Sequence, residues 1–190
     1  KIFQSGTKKY ALNNNPVSKI DRLISVIKVN TRLTRQGAVN GTDPIPSEYT
    51  PVAEVLSIKQ QATNTTYKKN VDYVLEADTI KWLSGGKQPD LGASYEIEFT
   101  YNKTMVVGTD YKLTVDNGVY SVELLNGDIP VDRTQMLIDY TFYLYYIASI
   151  TLDEKGVIRV IPGQSDTIDK VAPPDITDQE VLLLGFVQVA

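Results

Sequence analysis

Hydrophobic and polar residues alternate along much of this chain with a period of two, the spacing of half-buried β-strands. Within residues 24–33, Ile27, Val29, Thr31 and Leu33 share one face while Lys28, Asn30 and Arg32 share the other. A turn-rich stretch at 36–44 follows. Pro44, Pro46 and Pro51 then hold the backbone extended into a second strand through Val52, Val55, Leu56 and Ile58. Residues 144–152 are apolar or aromatic at nearly every position, as in a strand that is central in a sandwich or lies against another subunit. Residues 153–156 form a hairpin turn into a strand at 157–161, and a polar stretch at 164–178 leads to a last strand at 181–189. About ten to twelve strands of ordinary length are expected. The only helical feature expected is a turn at 17–23.

The same pattern occurs twice. Asn70-Val71-Asp72-Tyr73-Val74-Leu75 matches Gly108-Thr109-Asp110-Tyr111-Lys112-Leu113, 38 residues on. Further along, Ile97, Phe99 and Tyr101 match Ile138, Tyr140 and Phe142 at a spacing of 41, so the second hairpin is the longer one. The Asp before each Tyr is expected to accept bonds from loop amides, and the Tyr to open a strand with its ring buried. Trp82 is expected to cap the first core. The expected fold class is all-β, with tandem antiparallel β-sandwich-like units and little helix. Residues 1–23 are an N-terminal arm or linker in this scheme. Residues 24–190 form a β-rich region with related units at about 67–101 and 105–143 and a C-terminal hairpin plus final strand.

Composition narrows the chemistry. The chain has 12 Tyr and one Trp but no Cys and no His, which removes disulfides, thiolate nucleophiles, His-containing triads and the usual zinc sites. Its net charge of −4 gives no basic footprint for nucleic acid, and no apolar run is long enough to insert in a membrane as a helix. Glu96 and Glu98 share a strand face and read as solvated carboxylates, not as a glycosidase pair. The turns at 115–118 and 126–128 lack the ligand series of a calcium loop, so no metal is expected. Arg32 and Arg35 with Gly37 and Gly41 carry no phosphate-loop motif; a solvated hairpin tip or a salt bridge to a neighbouring chain is expected there. The sequons at Asn40, Asn64 and Asn102 fit an Asn/Thr-rich chain. No catalytic residue, cofactor or metal is assigned, and the chain is not expected to be an enzyme.

What remains is the aromatic stretch after the second unit. Tyr143, Tyr145, Tyr146, Ile150 and, from the last strand, Phe186 are the candidate interface residues. Tyr143, Tyr145 and Tyr146 could alternatively offer a stacking platform to a host-surface glycan.

The strand leading to Thr34-Arg35-Gln36-Gly37, then Tyr67 with Asp72-Tyr73, Ile80-Lys81-Trp82 and the Gly/Pro turn resemble a family of uncharacterised phage tail proteins of baseplate and tail-fibre regions. The segment 95–101, Leu152-Asp153, Gly156 and Pro173-Pro174 before a Val/Leu strand extend the resemblance over about residues 24–190. It implies a virion structural role in the tail, after a period in the host cytoplasm before assembly, and carries over no active-site residue. Related modules occur in contractile injection systems. The expected partners are other copies of the chain, a trimer by preference, held through 137–150 or the C-terminal strand, and other tail or baseplate proteins. The competing function is a carbohydrate-binding or receptor-binding adhesin module.

Overall fold

Alternation at the start of the chain extends further than expected. In the computed structural model, which describes residues 1–37, 41–125, 127–166, 170–176 and 181–189, strand β2 runs over Val17–Thr34 without a helical turn. Leu23, Ser25, Ile27 and Leu33 are buried on one face of it, and Lys28, Asn30 and Arg32 are exposed on the other. A short strand, β1 (Lys9–Ala11), precedes it. Residues 1–23 are therefore not a free arm: Phe3, Tyr10, Leu12 and Val17 are all buried, which ties the segment down. The protein is nearly all-β: among the described residues 57% lie in strands or bridges and none in an α-helix, and several antiparallel sheets form a sandwich-like arrangement. The expected readings at 38–40, Asn126, 167–169 and 177–178 lie outside the described residues.

The chain forms two compact units. The first comprises Lys1–Lys8, Arg22–Lys112 and Leu124–Ile138; the second comprises Lys9–Asp21, Leu113–Glu123 and Asp139–Ala190. In the first, β8 (Ser94–Thr104) lies between β2 and β4 (Val52–Gln60), and β5 (Thr65–Tyr67) edges β4. A second sheet orders β3 (Thr42–Pro44), β7 (Thr79–Trp82) and β6 (Tyr73–Glu76). Trp82 joins the two layers. It is fully buried at the centre of this core, not at its cap, edge-on to Tyr67 at 5.0 Å and Tyr95 at 5.4 Å.

In the second unit, β1 edges β10 (Val119–Leu124), which neighbours β9 (Tyr111–Asp116), while β11 (Leu137–Phe142) neighbours β2. The C-terminal sheet is β12 (Tyr146–Asp153) flanked by β13 (Ile158–Pro162) and β14 (Val181–Val189).

The two Asp-Tyr segments fold into one turn, bond for bond. Asp72 N–H donates to the Lys68 carbonyl and Asp110 N–H to that of Val106, both at 2.8 Å. The carboxylates return the contact, accepting from Lys68 N at 2.7 Å and Val106 N at 2.8 Å. Asn70 and Gly108 then sit at φ of 64° and 81°, and each amide donates to its Tyr carbonyl, Tyr73 or Tyr111, at 2.7 Å. Gly is the easy choice in that left-handed conformation; Asn is the usual substitute. The hairpins that follow differ only in length, with tight turns at Ala77-Asp78 and Asn117-Gly118, all at positive φ.

The correspondence reaches outside the tandem segments. β3 pairs with β7 as β1 pairs with β10, through Thr42↔Lys81 and Lys9↔Glu123. Asn102 N donates to the Pro51 carbonyl at 3.0 Å, and Tyr143 N to the Pro16 carbonyl at 2.9 Å. The spacing of Asn102 and Tyr143 is the same 41 residues that relates β8 to β11. The repeat is thus nested, not simply tandem. One copy is the continuous stretch 42–104, and the other takes its first strands from before that stretch and its remaining ones from after it.

Candidate functional site

The C-terminal sheet begins with a turn that the sequence dictates. Asp153 Oδ1 accepts from Lys155 N at 3.0 Å and Val157 N at 2.9 Å, and Gly156 adopts a φ of 76°. Asp153 Oδ2 also accepts from Arg159 at 3.0 Å. The Val157 amide is the first cause, with the Lys155 amide and Arg159 charge behind it, of an Asp153 carboxyl held below its ordinary range. This turn sets the register Leu152↔Ile158, Ile150↔Val160 and Ala148↔Pro162.

On its other edge β12 pairs with β14 through Tyr146↔Val189, Ala148↔Val187 and Leu152↔Leu182, with a bulge after Ile150 that leaves Leu184 unopposed. Alternation then sorts the side chains by face. One face carries Tyr146, Ala148, Ile150 and Leu152 from β12. Beside them stand Ile158, Val160 and Pro162 from β13 and Leu182, Val187 and Val189 from β14. No charged residue interrupts this face. Ile158, Val160 and Leu182 are exposed to 62%, 61% and 62%. That exposure is confined to the flanking strands, since Ala148 at the centre of the face is fully buried and Tyr146, Ile150 and Leu152 are half-buried; clustered exposed apolar side chains of this kind mark a binding surface more than an ordinary protein exterior.

The candidate interface residues distribute unevenly over this sheet. Tyr146 and Ile150 belong to the apolar face and are half-buried. Phe186 is paired with Ser149 and points to the opposite face, where it is 55% exposed. Tyr145 exchanges backbone bonds with Asp166 at 2.8 and 2.9 Å, just before β12 begins. Tyr143 is 52% exposed outside the sheet, with its hydroxyl 3.4 Å from Ser18 Oγ. Tyr145 and Tyr146 are consecutive in extended chain and so face apart, which does not build a single stacking platform from the three tyrosines. Sequence reasoning did not single out Ile158, Val160 and Leu182. Their signal was present as an apolar residue at every second position of β13 facing an apolar run in β14.

The densest polar cluster lies elsewhere, in the first unit. Asp43, buried on β3, accepts from Trp82 Nε1 at 2.7 Å, the Tyr95 hydroxyl at 2.9 Å and Gln36 N at 2.8 Å. Arg35 Nη1 stands 3.4 Å from its carboxylate, Arg35 Nη2 reaches Gln88 at 3.3 Å, and the guanidinium lies 5.8 Å from the Trp82 ring centre. Burial, then the Asp43 charge, pushes the Tyr95 hydroxyl far above its ordinary range, which keeps it a donor. Arg35 is therefore neither a solvated hairpin tip nor a bridge to a neighbouring chain; it reaches Asp43, 8 residues away on β3 in the other sheet. A cleft of about 520 Å³ lined by Arg35, Gly37, Gly86, Gln88 and Leu91 opens beside it. With both partners already engaged, the pair anchors the loop after β2.

Glu96 and Glu98 stand on the outer face of β8, opposite Arg32 and Asn30 on β2. Glu96 lies 3.5 Å from Arg32 and accepts from Gln61 at 2.9 Å, and Glu98 pairs with Lys28. Gln61 first, then Arg32 and Lys59, hold the Glu96 carboxyl below its ordinary range, whereas an acid catalyst needs one raised. Among the described residues, no three His, Cys, Asp or Glu side chains cluster closely enough to hold a metal ion. No described helix is long and apolar enough to cross a membrane.

Fold and surface together define an all-β protein built on a nested repeat, with an uncharged sheet face as its most distinctive exterior feature. The chain belongs to the family described as DUF4815, a domain of unknown function, whose model matches residues 1–190. Comparison with curated proteins and with solved structures gives no significant match.

Proposed function

We propose that this chain is a non-catalytic structural module of a phage tail baseplate or tail fibre, and that it acts by joining subunits through its C-terminal sheet. The observation that carries this reading is the apolar face of β12–β14, because exposed Ile158, Val160 and Leu182 are costly in water and gain free energy only when covered. The buried polar groups elsewhere are occupied in building sheets: Asp72 and Asp110 close turns, and Asp43 ties two layers together. The resemblance of residues 24–190 to tail proteins supplies the setting. Its mechanism is mechanical, with rigid sheets for load and apolar strands for contact, in a homo-oligomer with a trimer preferred and in contact with other tail proteins. The glycan-binding alternative rests on Tyr143, the most exposed of the three candidate tyrosines. It predicts saturable glycan binding lost in Tyr143→Ala.

The test is quantitative mass spectrometry of purified particles from the host that encodes the chain. The expected result is this chain in fixed stoichiometry with other tail proteins. Its absence from particles that contain the rest of the tail overturns the reading.

A further inference from the structure

The nested repeat places one strand surface in the chain twice, covered in the first copy and open in the second. β8 has a neighbour on each edge, β4 on one side and the 24–34 half of β2 on the other. Its counterpart β11 has β2 in the place of β4 and is the last strand of the sheet, with no strand beyond it among the described residues. Burial differs accordingly. Ile97, Phe99 and Tyr101 of β8 are exposed to 4% or less, whereas their counterparts Ile138, Tyr140 and Phe142 on β11 are only half-buried. A ring is missing there as well. Tyr49, two residues before Pro51, packs edge-on against Phe99 at 5.9 Å and Tyr101 at 5.6 Å. Two residues before Pro16 stands Asn14, whose backbone amide reaches the Tyr140 hydroxyl at 3.3 Å. Asn14 carries no ring to lay against Tyr140 and Phe142.

We infer that the outer edge of β11 is the docking site for an extended segment of a neighbouring protein, which joins the sheet as an antiparallel strand with an apolar side chain at every second position. Strand addition of this kind draws affinity from the backbone ladder and specificity from the alternate side chains. The covered copy defines the occupant. Beside β8, Ile27 stands opposite Tyr101, Val29 opposite Phe99 and Thr31 opposite Ile97. Carried over by 41 residues, side chains of the same kind face Phe142, Tyr140 and Ile138. The strand that covers β8 is unlike β8, so the contact is heterologous and is not the pairing of one β11 with another. Each described strand of this chain already lies in a sheet, which leaves the donor to another protein. The site deepens the proposed contact with other tail proteins and rests on that reading for its setting.

The probe is a synthetic peptide with the sequence of residues 24–34, the strand that fills this place in the first copy. Labelled, it is expected to bind the full chain saturably by fluorescence anisotropy, with a Kd below about 100 μM, and the peptide with Ile27→Lys and Val29→Lys to bind at least about tenfold more weakly. The register supplies a second measurement, and the absence of cysteine from the chain makes it clean. Lys28 stands opposite Thr100, whose counterpart on β11 is Thr141. In a glutathione buffer, the chain with Thr141→Cys is expected to form a disulfide with a Lys28→Cys peptide at least about tenfold more than with an Arg32→Cys peptide, whose thiol lies beyond bonding reach in that register. Absence of saturable peptide binding, or equal trapping at the two peptide positions, overturns the inference. A chain that is found in tail particles but binds no peptide loses this site and keeps the proposed function. Peptide binding by a chain absent from particles does the reverse.

Discussion

Replacing Asp43 with Ala removes an acceptor shared by the Trp82 indole, the Tyr95 hydroxyl, the Gln36 amide and the Arg35 guanidinium. The Arg35 side chain is 2% exposed, so its charge has little water to turn to. Breaking a buried ion pair by deleting one member costs about 3–5 kcal/mol. Each orphaned donor would by itself cost about 1–3 kcal/mol, and these losses overlap because the groups act as one network. Asp43→Ala is therefore expected to destabilise the first unit by about 4 kcal/mol, a fall in Tm on the order of 10 °C for a chain of this length. Asp43→Asn, which keeps an acceptor but loses the charge, should fall between. Removing both charges, as in Arg35→Met with Asp43→Leu, should recover part of the loss, with a coupling energy above about 1 kcal/mol. The assay is guanidinium chloride unfolding followed by the single Trp82, which is buried in that core and reports on it alone. A loss below about 1 kcal/mol for Asp43→Ala would refute the assignment of Asp43 as the node that ties β3, β7 and β8.

Further outcomes follow from other sites. Ser149 Oγ and Thr151 Oγ1 are buried without a hydrogen-bond partner, so Thr151→Val should raise stability by about 1 kcal/mol in thermal unfolding, and a decrease would show that the hydroxyl is satisfied. A Cβ at Gly86 would meet the Val71 carbonyl and stand 2.5 Å from Asp72 Cα; Gly86→Ala is expected to cost about 1–3 kcal/mol, and an unchanged midpoint would contradict this close approach. Burial would raise the Asp110 carboxyl, but the Lys103 ammonium and the Val106 amide outweigh it and hold it below the ordinary 3.8. Since the folded value lies below the unfolded one, its stabilisation is complete above the unfolded value and lost as pH falls through the folded one. Urea midpoints should therefore decline less steeply below pH ~4 in Asp110→Asn than in the parent, from a lower starting stability at neutral pH. Parallel pH curves would exclude that linkage.

The strands were legible because period-two alternation is a direct consequence of the pleat, as in Leu23 to Leu33. The Asp-Tyr turns were equally legible, because Asp72 and Asp110 use a local carboxylate-to-amide geometry that four or five residues specify. Non-local pairing was not. Nothing within residues 9–11 announces that β1 is the counterpart of β3, since a three-residue strand acquires its place from the hairpin it edges. That is why residues 1–23 read as an arm, and why the repeat read as tandem when it is nested. The Asp43 cluster escaped for the same reason: Asp43 sits 39 residues from Trp82 and 52 from Tyr95, in a stretch whose prolines and glycines suggest only a loop. Of the candidate surface, the aromatic content of β12 was visible in the chain. Which of its faces is apolar throughout became visible only with the register to β13 and β14, because a bulge after Ile150 shifts the parity of β14.

The central claim is that the C-terminal sheet is an assembly surface of a tail structure, and a cryo-electron microscopy map of particles containing the chain tests it most directly. Protein density packed against Ile158, Val160 and Leu182 is expected. A map in which that face of β12–β14 meets solvent would contradict it.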